Sequence, residues 1–296
     1  MEFWGLIIPV ITLGLYAGMF LANGSILYGI MFARHMTDGS QTHLARVLAI
    51  GAWIGIAATC LRVPAAAGNL GGDLASAVDP QFLGLMMGTS LGLSTVLAAL
   101  GFIMAATLPR VVEARRPIAG GVTVAVIAAS FAIHGHAVLG GLMTGLLLVV
   151  HLSCVAVWLG AFLPLRRLCM LADSDAPAHD ELADIAHQFA IVASWAVGAL
   201  VISGGGFAAY LTGSLTALFT TAYGLVLLAK IGLVAGLLGL AALNRFRLVP
   251  DLRGGDISAA ARLQTSINLE IAVVTVILTL TAVLTNALAL PMPLPM

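Results

Sequence analysis

The stretch HGHAVLGGLMTGLLLVVHLSCVAVWLGAFL, residues 134–163, decides how this chain is read. It opens with His134 and His136 on either side of one glycine and continues into an apolar run long enough to cross a bilayer. His151 lies about 12 residues into that run, or ~18 Å at 1.5 Å per residue, close to the midplane. Cys154 and Trp158 follow three and seven residues later, near the same helical face. Ionisable groups are costly at that depth, so each is a functional-site hypothesis with a partner to be found.

Outward from this stretch the composition stays the same. Of the 296 residues, 60% are hydrophobic and 9% charged, with a mean hydropathy of +1.07. Soluble domains carry about 25% charged residues, so the chain reads as an all-α, polytopic integral membrane helical bundle. Eight apolar segments are expected, at roughly 4–31, 47–67, 82–108, 118–133, 139–164, 186–212, 219–243 and 264–290, the fourth being the shortest. The first has no basic residue before it and outruns a signal peptide's apolar core, so it reads as a retained helix. A division into two four-helix regions, 1–133 and 134–296, follows from that count. Thirteen basic residues balance thirteen acidic ones, which argues against a nucleic-acid partner. Cys60, Cys154 and Cys169 fall in separate segments and offer no disulfide framework.

The arginines orient the bundle. Arg34 and Arg46 lie in the first connection, Arg110, Arg115 and Arg116 in the third, Arg166 and Arg167 in the fifth, and Arg245, Arg247, Arg253 and Arg262 in the seventh. The alternate connections carry none, so the positive-inside rule expects the arginine-bearing ones in the cytoplasm and both termini in the periplasm. His134, His136 and the tail containing Met292 then face outward.

Two basic residues fall inside spans. Lys230 is expected at mid-depth of span 7 and Glu270 ~10 Å into span 8, where antiparallel neighbours can pair them and lower the desolvation cost. Arg62 sits near the external end of span 2, where its side chain can snorkel. Trp158 and Asn268 complete this candidate polar network, in which interhelical hydrogen bonding is the structural alternative to transport. Imidazole, thiolate and thioether together suit copper, Cu(I) or Cu(II). The candidate ligands are His134 and His136 at the external mouth, His151 and Cys154 in span 5, and Met86, Met87, Met143 and Met292 in the external half. Methionine is also common apolar filler, and a buried Cys is often only a small packing residue.

At these residues the chain resembles the copper resistance protein D (CopD) family of bacterial inner-membrane proteins. The likeness is strongest in HLSCVAVWLGAFLPL, residues 151–165, and continues through the YG-x5-K-x13-NR pattern of Tyr223-Gly224, Lys230 and Asn244-Arg245 and through Asn268-Leu269-Glu270. The resemblance implies copper homeostasis: passage of copper across the inner membrane, as import, with delivery from a separate periplasmic CopC-like copper-binding protein. The expected protein is a transporter in contact with lipid and not an enzyme. No GxxxxGK[ST] loop occurs, which excludes a copper-pumping ATPase. Two other readings compete. A haem b redox protein would use histidines as axial ligands, and a noncatalytic assembly or sensory partner would need only an interface.

Overall fold

Close approach of backbones at glycine positions organises the first two helices, α1 (Glu2–Phe32) and α2 (Asp38–Gly71). A β-carbon at Gly18 would lie 2.6 Å from the Gly55 Cα, and one at Gly51 would lie 2.6 Å from the Leu21 Cβ. Gly14 and Gly18 on α1, and Gly51 and Gly55 on α2, are each four residues apart, the small-xxx-small spacing that brings membrane helices into contact. The Phe102 ring, fully buried, fills the groove left by Gly55. The structure is a computed structural model that describes residues 2–135, 140–172, 175–212 and 215–286.

After α2 come a short α3 (Pro80–Met87), α4 (Ser90–Thr107) and α5 (Arg116–Ala132). Next are α6 (Gly141–Gly160), α7 (Phe162–Leu171), α8 (Ala176–Thr212), α9 (Leu215–Thr220) and α10 (Ala222–Leu243). A π-helical turn at Asn244–Leu248 joins α10 to α11 (Val249–Arg253), and α12 (Ile257–Asn286) ends the described chain. Helix α1 is central, packing on α2, α5, α6 and α12. Its contact with α6 is again backbone on backbone, since a β-carbon at Gly24 would lie 2.5 Å from the Gly160 Cα. Leu152 and Ala156 of α6 and Ala282 of α12 are buried in one core with residues of α1, α2, α4 and α5, so packing is continuous across residues 133 and 134.

Among the described residues, seven helices are long and apolar enough to cross a membrane. The expected fourth span is α5, whose 17 residues cover ~26 Å and stand at the short limit for a crossing. Outward-facing apolar side chains such as Trp195, 81% exposed, suit a lipid boundary.

Three segment boundaries differ from the sequence expectation. Span 3 is not one helix: α3 ends at Gly88, and Thr89 caps α4 by accepting from the Leu91 amide at 3.2 Å. The long polar connection 165–185 is largely helical, because Ala178, Leu182, Ile185 and Ala186 repeat at helical spacing and are all buried. Likewise α2 begins at Asp38, where Thr37 serves as N-cap.

The connections sort by end. Thr37 donates to Glu181 at 2.8 Å, Arg167 to Ser40 at 3.4 Å, and His35 meets Gln188 at 2.7 Å, joining the first and fifth connections. Arg253 reaches His187 at 3.4 Å, adding the seventh. A β-carbon at Gly120 would meet Ile26, Ile30 and Leu108, which sets the third beside the end of α1. At the opposite end Trp4 packs against Gly68 and Ala77, and Ser90 meets His134. All arginine-bearing connections thus share one end of the bundle.

Replacing Gly18 with Ala is expected to lower stability by about 1–3 kcal/mol, the usual cost of overpacking, because its new methyl would overlap the Gly55 backbone. Gly121→Ala, which has nothing within 4 Å of the new carbon, should leave the detergent-solubilised protein as stable as before or more so. Thermal unfolding of the two variants checks the contrast.

Candidate functional site

The buried imidazole of His151 rests on backbone. Helix α8 passes α6 at Gly204, where a β-carbon would come within 2.8 Å of Cε1 and 3.0 Å of Nδ1. Only glycine leaves space for the ring there. Nδ1 is buried, and the Leu200 backbone, one turn earlier on α8, lies within hydrogen-bonding reach of the ring. Lys230 of α10 lies near enough for its charge to reach the imidazole.

Cys154, one turn along α6, is half-buried and packs at the margin of the same core as Trp158. Among the described residues no three His, Cys, Asp or Glu side chains converge on one point. A bis-histidine haem arrangement finds no support around His151: the surface opposite is the Gly204 backbone. His35 and His187 bond within the arginine-bearing connections, at the far end of the bundle from His134.

Glu270 is 2% exposed and takes its hydrogen bond from the Asn244 amide, with the Trp158 indole N–H within reach of the same carboxyl. The expected Lys230–Glu270 pair therefore does not form. Its failure is one of depth: Asn244 lies fourteen residues beyond Lys230 on the same helical run, about 21 Å along the axis. Two residues before Glu270, Asn268 accepts from the Arg166 Nε at 2.7 Å. The π-helical turn presents Asn244 and Arg245, the pair that closes the YG-x5-K-x13-NR pattern. Arg245 in that turn donates to the Ala190 carbonyl and to Ser194 on α8, and its guanidinium lies 5.5 Å from the Phe246 ring centre.

Arg62 does not simply snorkel. Its guanidinium donates to Ser94 Oγ at 2.7 Å, and Ser94 donates onward to the Ser130 carbonyl at 2.6 Å, tying α2, α4 and α5 together. His134, two residues past α5, shares a 3.1 Å hydrogen bond between Nδ1 and Ser90 Oγ. Burial, and then the nearby Arg62 charge, push the His134 pKa down to about 4, so the ring is neutral at neutral pH and keeps a lone pair for a metal. Met86 and Met87 close α3 beside this corner, where Thr89 donates to the Met86 carbonyl at 2.7 Å. Met87 is exposed, as is Met143 on the first turn of α6. His136 and Met292 lie outside the described residues.

The candidate residues thus fall into three groups by depth: Arg62, Ser90 and His134 at one end, His151 with Gly204 in the middle, and Trp158, Asn244 and Glu270 toward the arginine-bearing end. Other buried polar atoms at that end escaped the sequence reading. The Tyr28 hydroxyl and Glu181 Oε1 are both buried without a hydrogen-bond partner.

Comparison with known families covers most of this architecture. Residues 1–146 match the copper resistance protein D-like N-terminal domain, and residues 183–284 match copper resistance protein D. The second match includes Gly204, Lys230, Asn244 and Glu270, whereas His151, Cys154 and Trp158 lie between the two. No curated protein and no solved structure matches the chain significantly. The two family matches meet on one continuous helical bundle with a histidine buried in its middle, and the chain belongs to the copper resistance protein D family, membrane proteins of copper resistance and transport.

Proposed function

We propose that this chain carries copper inward across a bacterial inner membrane, receiving it at the outer end from a CopC-like periplasmic carrier. The observation that carries this reading is the His151 imidazole, held against Gly204 in mid-bundle with Nδ1 shielded from solvent. A soft-metal ion arriving there meets an imidazole nitrogen, a ligand type that suits copper. His134, Met86 and Met87 supply capture at the outer corner, with His136 and Met143 as further donors on the same side, and Met292 in the tail. Cys154 extends the route one turn beyond His151. Ligands met one or two at a time bind copper weakly enough to release it, as conduction requires. The oxidation state favoured by a thioether and thiol path is Cu(I).

Sidedness follows from the shared end of the arginine-bearing connections, which the positive-inside rule assigns to the cytoplasm. A single cysteine introduced at exposed Asp180, in a background with Cys60, Cys154 and Cys169 replaced, should react with an impermeant maleimide only after the membrane is opened. Labelling in intact cells would reverse the topology and with it the direction of transport.

His151→Ala should remove most copper flux into proteoliposomes. His151→Asn, which keeps a polar side chain of similar reach, should remain deficient if coordination matters and recover if packing alone matters. Gly204→Ala tests the same imidazole from the other helix: the methyl would displace the ring and should reduce flux without touching a ligand. Wild-type rates in folded His151→Asn protein would exclude the route along α6.

A further inference from the structure

Glu270 has no role in the route just described, yet it is the most conspicuous polar group in the membrane half nearest the arginines. Its carboxyl is almost wholly buried, and no cation pairs with it among the described residues. The charged and titratable groups on the elements around it are otherwise engaged. Arg166 of α7 is held by Asn268, and Arg245 by the Ala190 carbonyl and Ser194 of α8. Asp251 of α11 pairs with Arg262 of α12, and Arg253 reaches His187 of α8. Tyr28 of α1 lies in the field of Glu181 from α8, and Cys154 and Cys169 pack in the core. Lys230 is about 21 Å away along α10. An ionised Glu270 would thus be a buried carboxylate supported by neutral donors alone, a costly state in a low-dielectric interior.

Its partner's geometry favours the other protonation state. Asn244 Nδ2 donates to Glu270 Oε1, while Asn244 Oδ1 is buried with no donor. A primary amide and a carboxylic acid present matching pairs of atoms. Protonated Glu270 can close a two-bond ring in which the amide N–H and the acid O–H each find an acceptor, satisfying the orphaned oxygen. Ser266, one turn earlier on α12, leaves a second buried hydroxyl without a partner beside this pair. The ring is built on a π-helical turn, the kind of local distortion that recurs at functional sites.

This turn also borders an open cavity. A cavity of about 530 Å³ at the arginine-bearing end is lined by Arg245 and Phe246 of the same turn, together with His187 and Arg253. Arg245, next in the chain to the Asn244 that holds the buried acid, thus lines a vestibule at the arginine-bearing end. On the other side, Trp158 connects Glu270 to the face of α6 that carries Cys154 four residues back and His151 seven residues back.

We propose that Glu270 is a proton-binding site whose occupancy is linked to copper on the α6 route, an inference that rests on the copper-transport reading. With the route empty, the carboxyl is protonated and ringed with Asn244. When a copper ion moves along α6 toward Trp158, the acid O–H bond breaks, its electron pair stays on the carboxylate as countercharge, and the proton passes to water in the vestibule. Departure of copper reverses the step. By linkage, raising the pH must then tighten copper occupancy and copper must promote deprotonation by the same factor.

Difference infrared spectroscopy on the full-length protein in lipid tests this directly, with Cu(I) as the probe and Ag(I) as its redox-inert counterpart. A protonated-carboxyl band should be present without metal, absent in Glu270→Gln, and lost from wild type when either ion is added. Proton release measured with an indicator dye in weak buffer should accompany that loss and fall to background in Glu270→Gln, whose amide preserves the acceptor facing Asn244. If wild type binds copper while the Glu270 band stays unchanged, the linkage is wrong and the copper route stands. Wild-type protein that binds neither ion in a parallel equilibrium-dialysis measurement overturns the copper reading and the linkage together. Undiminished metal-dependent proton release in folded Glu270→Gln assigns the proton elsewhere and overturns the proposal.

Discussion

Backbone contact along α1 is the constraint on which the rest of the bundle depends. Lipid tails are as apolar as leucine, so membrane helices gain little from hiding apolar side chains and must gain from close packing instead. Helix α1 does this twice, against α2 at Gly18 and Gly55 and against α6 at Gly24 and Gly160. Those contacts fix the spacing between the helices that carry Arg62 and His151. The same logic returns at Gly204, where the missing side chain admits an imidazole in place of a second backbone. A glycine can therefore mean either a packing seam or a slot for a functional ring, and only the facing residue tells which.

The second constraint is the cost of polar groups away from water. Several ionic groups of the bundle are tied to neutral partners. Arg62 uses a serine, Arg166 an asparagine, Arg245 a carbonyl and a serine, and Glu270 an asparagine. Among the described residues, ion pairs are confined to the exposed Arg262 with Asp251 and Asp256. Neutral partners avoid desolvating two opposite charges together, a step whose cost can exceed the attraction it creates. They also leave the charge on each group free to respond to a passing ion.

Much of this was legible in the sequence because hydropathy and arginine placement act over whole segments. The all-helical bundle, its family and the shared end of the arginine-bearing connections all follow from patterns about twenty residues long. What sequence could not supply was register between helices. Glu270 and Lys230 look like a pair when each is measured from its own end of a span, but the true ends differ: α12 starts at Ile257 and α10 runs into a further turn. Those added residues move the two groups to different depths and hand Glu270 to Asn244. Likewise nothing in the SGGGF segment distinguishes Gly204 from Gly205 or Gly206, yet only a side chain at Gly204 would meet His151. The break at Gly88–Thr89 rests on a local capping hydrogen bond that hydropathy over twenty residues does not register.

Depth also separates what the bundle can do at each level. At the outer corner a neutral histidine sits beside a fixed positive charge, so a free cation meets repulsion from Arg62 while a ligand-bound ion can be exchanged onto the imidazole. In the middle, desolvation and the nearby Lys230 charge work against any cation that the His151 nitrogen does not itself hold. Toward the Trp158 end of α6 lies a buried acid on α12, Glu270, which can gain negative charge by giving up a proton. Charge along the bundle is therefore graded by depth, from an imidazole beside Arg62 at one end, through His151 near Lys230, to a buried acid nearest the arginine-bearing end.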